Sequence, residues 1–385
     1  MNTPVIMDSA RRGLLLVTLM LTIALAPLVT AADSDGDGID DSVDDCRWAA
    51  GTSSIDKVGC PDRDGDGYSD LSDSWSITNP NFQNEYTTTS NNDYHDVDYS
   101  PDGQFIVTGS EDTFVRLWNA TTHINLKSVV TSGEVTSVSF SPDGMYVAAG
   151  IDDDTMHIYY SSNLTSVHGA ISVDVGSGDY VNDVEFSPDS GLVAVSIGRS
   201  GNSGTNGQVF LIDVSNGQKV GNGMNPNSEG RFYDAAFSPD GELIALASND
   251  DFYIVNVSSR ATVYSVTSPP AAVNAIAWSP DGNYIAMCGG WEGSGASFDM
   301  YQFSGSTWSR IWQKSTTTSC ASTDFSYDGT QVVAGMYWYG ADGNTARVYD
   351  SSSGVQIDSF AGPRPGSCSS GNNNNCGQIE GIAWS

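Results

Sequence analysis

The sequence predicts an all-β chain of repeated four-stranded units arranged as the blades of a propeller, and three observations lead there. The stretch Phe140-Ser141-Pro142-Asp143-Gly144 returns at 99–103, 186–190, 237–241 and 278–282, and in worn form as Phe325-Ser326-Tyr327-Asp328-Gly329. From Pro101 onward the third residues of successive copies lie 41, 46, 51, 41 and 47 positions apart, ending at Tyr327. A period of about 40–50 with several short strands per unit fits blades better than a helical solenoid. Each copy also joins a run with apolar residues at alternate positions, such as Val138 and Phe140, to a second apolar run, such as Tyr146 to Ala149. That is a hairpin signature.

Residues 1–32 read as an export signal. Arg11 and Arg12 precede an apolar run from Gly13 to Val29, and Thr30-Ala31-Ala32 offers a small-residue cleavage site. The run is shorter than the roughly 20 residues a spanning helix needs, so no membrane span is expected in the mature chain. With 15 Lys and Arg against 47 Asp and Glu, the formal net charge is -32. Such a surface repels nucleic acid and anionic lipid, and suits a soluble protein in a cation-rich medium or one that binds cations itself; with the export signal, a secreted or cell-surface protein is expected.

Residues 33–80 carry 13 Asp, no Glu and three basic residues. They hold too little apolar material for a core, so an external agent must order them. Asp33, Asp35, Asp37, Asp41 and Asp44 recur in spacing as Asp62, Asp64, Asp66, Asp70 and Asp73. Alternate residues of a tight loop direct oxygens at one hard cation, and the carbonyls of Ile39 and Tyr68 complete the pattern. Ca2+ is the expected ion, since magnesium prefers to keep its waters. These two loops, with Cys46 and Cys60 between them and Gly59-Cys60-Pro61-Asp62 leading into the second, resemble thrombospondin type 3 repeats. The resemblance implies calcium held by these aspartates and a structure that depends on the ion.

The propeller is expected over 81–385. Gln378 to Ser385 matches Ala272 to Ser279, so the reading is six blades plus the first strand of a seventh, incomplete at the C-terminus. The segment Phe105 to Asn119 resembles the WD-repeat family, with Asp112 on that family's turn Asp and Trp118-Asn119 on its closing Trp-Asp pair. The Gly-His pair of that family is absent from every unit, so its buried histidine network is expected to be missing.

Six cysteines in an exported chain are expected to pair. The simplest pairing is local for Cys46 with Cys60 and for Cys368 with Cys376. Cys288 and Cys320 then remain, near one rim of neighbouring blades by the repeat alignment.

The Asp of each Ser-Pro-Asp-Gly copy is read as turn chemistry, because Asp bonds nearby amides there. Asp96, Asp183 and Asp234 share one aligned position on the innermost strands, and Asp98, Glu185 and Asp324 another two residues on. They either face a central cation or merely fit a wet axis, and the second reading is favoured. His95, His123, His157 and His168 show no metal spacing and are read as surface residues. Asn119, Asn163 and Asn256 stand in glycosylation sequons. No nucleophile elbow or phosphate loop is found. The expectation is therefore a non-enzymatic scaffold for a protein or glycan partner. Its rim would be decorated by the insertions 199–207, 289–297 and 337–344, with Trp291, Tyr337, Trp338 and Tyr339. The alternative is the propeller portion of a secreted hydrolase whose catalytic domain lies beyond the C-terminus.

Overall fold

The computed structural model describes residues 94–173, 179–199, 207–226, 228, 230–248, 251–267, 272–290, 296–305, 307–316, 319–336, 346–360 and 381–383, with Ile39 and Val43 besides. The chain divides into two compact units, Met1–Trp75 and Ser76–Ser385. In the first unit Ile39 is half-buried and Val43 exposed. The calcium-ligand aspartates, Tyr68, the export segment, Cys46, Cys60, Cys368 and Cys376 lie outside the described residues, as do Trp291 and residues 337–345.

The second unit is an all-β propeller of six four-stranded antiparallel sheets, each with its strands in sequence order. The inner strands are Tyr94–Tyr99, Val135–Phe140, Asp179–Phe186, Phe232–Phe237, Val273–Trp278 and Cys320–Phe325. Each of the first five packs beside the inner strand of the next blade. No helix occurs among the described residues.

The turn that counts the blades also builds them. In each copy the Ser hydroxyl donates to the Asp carboxylate, at 2.5–2.7 Å. The same hydroxyl oxygen accepts the N–H that starts the second strand, as from Tyr146 at 2.8 Å. Gly144 closes the turn at φ +69°, and Ser190 takes the same left-handed conformation at +59° where glycine is missing. A Cβ on Gly329 would stand 3.4 Å from Pro280 Cδ, so consecutive turns touch around one end of the ring.

The apolar core is divided into pieces, one between each pair of blades. Val107, Val115 and Leu117 of blade 1 pack with Val135, Val138, Phe140 and Val147 of blade 2. The pattern repeats down to Phe298 and Met300 of blade 5 against Phe325 and Val332 of blade 6. The outermost strands stay wet, and Asn125–Val130 is almost wholly exposed.

Residues 381–383 stand where the sequence places the first strand of a seventh unit. Ile382 packs on Val333, Ala346 and Val348 of blade 6, and a Cβ on Gly381 would come within 2.5 Å of Asp96 Oδ1 of blade 1. The segment thus touches both the last blade and the first. It lies there without the strand pairing that makes the six full sheets.

Candidate functional site

Every inner strand carries a register shift near its start, at His95, Thr136, Asn182, Tyr233, Asn274 and Ala321. A bulge turns the strand and re-aims the side chains that follow. As a result the acidic positions meet the backbone of the next blade. Asp96 Oδ2 accepts from Val138 N at 2.9 Å, and Asp98 Oδ2 from Phe140 N at 2.7 Å. Asp183 Oδ2 accepts from Ala235 N at 3.3 Å, Glu185 Oε2 from Phe237 N at 3.1 Å, and Asp234 Oδ2 from Ile276 N at 2.8 Å. In blade 2 the hydroxyl of Ser137 takes this role, accepting from Val184 N at 3.2 Å.

These contacts change the reading of the inner-strand acids. Their oxygens are acceptors for inner-strand N–H groups that the sheet itself leaves open on the axis side. They latch one blade to the next. Among the described residues no group of three or more His, Cys, Asp or Glu side chains is arranged to hold a metal ion. The favoured expectation, that small or acidic residues simply fit the axis, missed the latch because the donor is main chain 42 to 52 positions away.

Desolvation raises the latch carboxyls despite those bonds. Asp96 is pushed up to about 6 and Asp98 to about 7, burial being the main cause in both. Asp183 and Glu185 stand well above the carboxylate range, through burial first and the Asp234 charge next. Asp234 is raised by burial as well.

The end of the ring opposite the Ser-Pro-Asp-Gly turns holds a second cluster. Arg231 lies over the rings of Tyr180 and Tyr233, 4.9 and 4.4 Å from their centroids, and its Nη2 donates to Asn182 Oδ1 at 2.9 Å. All four residues are half-buried. Nearby in the repeat, Asn182 and Asn274 donate to the backbone oxygens of Phe232 and Cys320 in the following blades. In blade 1, Arg116 pairs with Asp112, a bond that lowers the Asp112 carboxyl, and lies 4.9 Å from the Phe114 ring centroid. Trp118 Nε1 donates to Thr108 Oγ1 at 3.0 Å. In this blade the turn Asp is paired with an arginine of the same hairpin.

Cys288 and Cys320 form a disulfide between the second strand of blade 5 and the inner strand of blade 6. The repeat alignment had brought the two to one rim. His123 and His168 are exposed as expected, whereas His95 and His157 are half-buried and burial lowers His157. The sequons also have a local reason. Asn119 and Asn256 end third strands where blades 3 and 6 have Asp213 and Asp350, and all four accept N–H groups from the turn that follows.

The sheet order and the ring of inner strands define a β-propeller. More particularly, the chain carries WD40 repeats. The family described as "WD domain, G-beta repeat" matches residues 83–119 and 125–159, and that described as "Anaphase-promoting complex subunit 4 WD40 domain" matches residues 235–320. Among solved structures, the chain is similar to the β-propeller domain of Cps50 (Swd1) from Myceliophteria thermophila. The identity is 13% and the TM-score 0.61, over 76% of this chain and 89% of that one. At that identity the likeness concerns the fold. A WD40 propeller is an architecture suited to holding protein partners.

Proposed function

We propose that this protein is an exported, calcium-ordered, non-enzymatic scaffold that recognises a protein partner through the propeller end opposite the Ser-Pro-Asp-Gly turns. The observation that carries the reading is the Arg231 cluster. Tyrosine and arginine are the side chains most enriched among residues that dominate binding energy, and here one arginine and two tyrosines are held in place yet remain partly accessible. Two other features support export: the charged start, apolar run and small-residue site of residues 1–32, and the Cys288–Cys320 bridge, which belongs to an oxidising compartment. The matched aspartate loops of residues 33–73 support calcium, with the ion ordering a segment that lacks its own core.

Two measurements test this. Partners cross-linked to the full chain from extracellular fractions are identified, and their affinity is measured for wild type and Arg231→Ala. A loss of tenfold or more is expected, about 1.4 kcal/mol; unchanged affinity rejects the Arg231 face. Calorimetric calcium titration of the full chain addresses the loops. Binding heat that disappears in a Asp35→Asn, Asp64→Asn double variant supports them, and heat that persists assigns the calcium elsewhere.

A further inference from the structure

Four side chains of the channel wall are joined in a line. Asp96 Oδ2 lies 3.0 Å from Ser137 Oγ, and Ser137 Oγ lies 3.1 Å from Asp183 Oδ1. Asp183 in turn feels the charge of Asp234 on the next blade, which raises its carboxyl further. The line crosses three joints, since its members come from blades 1, 2, 3 and 4.

Counting protons makes this line informative. Ser137 Oγ has one hydrogen to give, and it already accepts the Val184 N–H. It therefore donates to one of its two carboxyl neighbours. The other contact is a hydrogen bond only if that neighbour carries a proton and donates it back. The Asp234 charge beside Asp183 favours the same proton, because like charges disfavour ionisation. With both Asp96 and Asp183 ionised, the single Ser137 hydrogen does not give each of them a full hydrogen bond.

Among the described residues, the inner and second strands present no basic side chain at the latch positions. The inner strands present Asp96 and Asp98, Ser137 and Ser139, Asp183 and Glu185, Asp234, Ala275 and Ala277, and Asp324. Behind them the second strands present Gly109, Gly150, Ser196 and Ala247 opposite the first latch position. The basic groups at the strand starts are directed to other partners, His95 toward Glu134 at 3.9 Å and Arg231 to Asn182 and the two tyrosine rings.

We propose that the channel wall is a proton-loaded clasp: the folded propeller keeps at least one carboxyl proton on the Asp96–Ser137–Asp183–Asp234 line, and its release as pH rises loosens the joints of blades 1 to 4. The burial that raises Asp96 to about 6 and Asp98 to about 7 acts in the same direction. These groups hold their protons more tightly folded than unfolded. Their stabilising effect is complete below the unfolded carboxyl range and is lost as pH rises through about 6 to 7. This is opposite to the usual salt-bridged carboxylate.

The test uses the full chain. Scanning calorimetry between pH 5.5 and 8 should show the propeller Tm falling by about 3–6 °C as pH rises. Asp183→Asn places an amide N–H toward Ser137 and an oxygen toward Ala235 N, so it imitates the protonated acid. It should keep the Tm of pH 5.5 and flatten the fall. A protonated-carboxyl C=O band in the infrared spectrum of the wild type at neutral pH should weaken in that variant. Should the variant not fold, unfolding the wild type in weak buffer near pH 6.5 must release protons. A wild-type Tm that stays level or rises with pH, an unaltered slope or carboxyl band in Asp183→Asn, or proton uptake on unfolding would each overturn the clasp.

Discussion

The joint between blades 3 and 4 and the joint between blades 5 and 6 have the same geometry and different chemistry. In the first, Asp183 and Glu185 reach across to Ala235 N and Phe237 N. In the second, the same two positions are Ala275 and Ala277, which offer no acceptor. The second-strand residue behind the first latch is Gly109, Gly150, Ser196, Ala247, Cys288 or Gly335 in blades 1 to 6. Where that residue is Cys288 it is bonded to Cys320 of the next blade. In blade 1 the slot is simply tight: a Cβ on Gly109 would lie 2.5 Å from Val135 Cγ1. The comparison teaches that a blade joint needs a tie near the axis, and that the tie is interchangeable between a carboxylate latch and a covalent bridge. One responds to acidity, the other to reductant.

The largest expected effect is on the covalent joint. Replacing Cys288 and Cys320 together by alanine should cost about 3–4 kcal/mol, the chain-entropy value for a loop of 32 residues, read by chemical denaturation. A loss under about 1 kcal/mol would show that the Phe298, Met300 and Phe325 core holds this joint unaided. Next in size is the latch. Asp98→Ala leaves Phe140 N without its acceptor and should cost about 1–3 kcal/mol, whereas Asp98→Asn keeps an oxygen there and should cost far less. Equal losses in the two variants would mean that the hydrogen bond is not what ties this joint. The smallest effect belongs to the end of the ring that all joints share. Asp143→Ala removes the acceptor for Ser141 Oγ and Met145 N on an exposed turn, for about 1 kcal/mol. Asp281→Ala, in the blade before the bridged joint, should cost the same. A clear difference between them would show that the turns also take part in distinguishing the joints.

What the sequence made legible was local. The six Ser-Pro-Asp-Gly turns could be read because their partners are two and five residues away, as in Ser141 with Asp143 and with Tyr146 N. Their spacing then aligned Cys288 with Cys320 without showing that they bond. The acids of the inner strands were visible as a pattern, but their role was not. Asp96 bonds a main-chain N–H 42 positions on, and a backbone donor leaves no trace in residue identity. The bulges at His95, Thr136, Asn182, Tyr233, Asn274 and Ala321 were equally silent, since residues as unlike as tyrosine and alanine occupy one backbone feature. Arg231 escaped notice for a related reason. Its ring partners Tyr180 and Tyr233 come from two blades, and only the fold brings them together.

The third-strand turns bear on how this molecule ages. At Asn119 the contacts to Thr121 N, Thr122 N and Thr122 Oγ1 all fall on the amide oxygen, and Asp213 and Asp350 do the same work as carboxylates. Hydrolysis of that amide would turn Asn119 into the residue its sister blades already use. The acceptor would survive the chemistry, and the blade would carry one more negative charge with its turn intact.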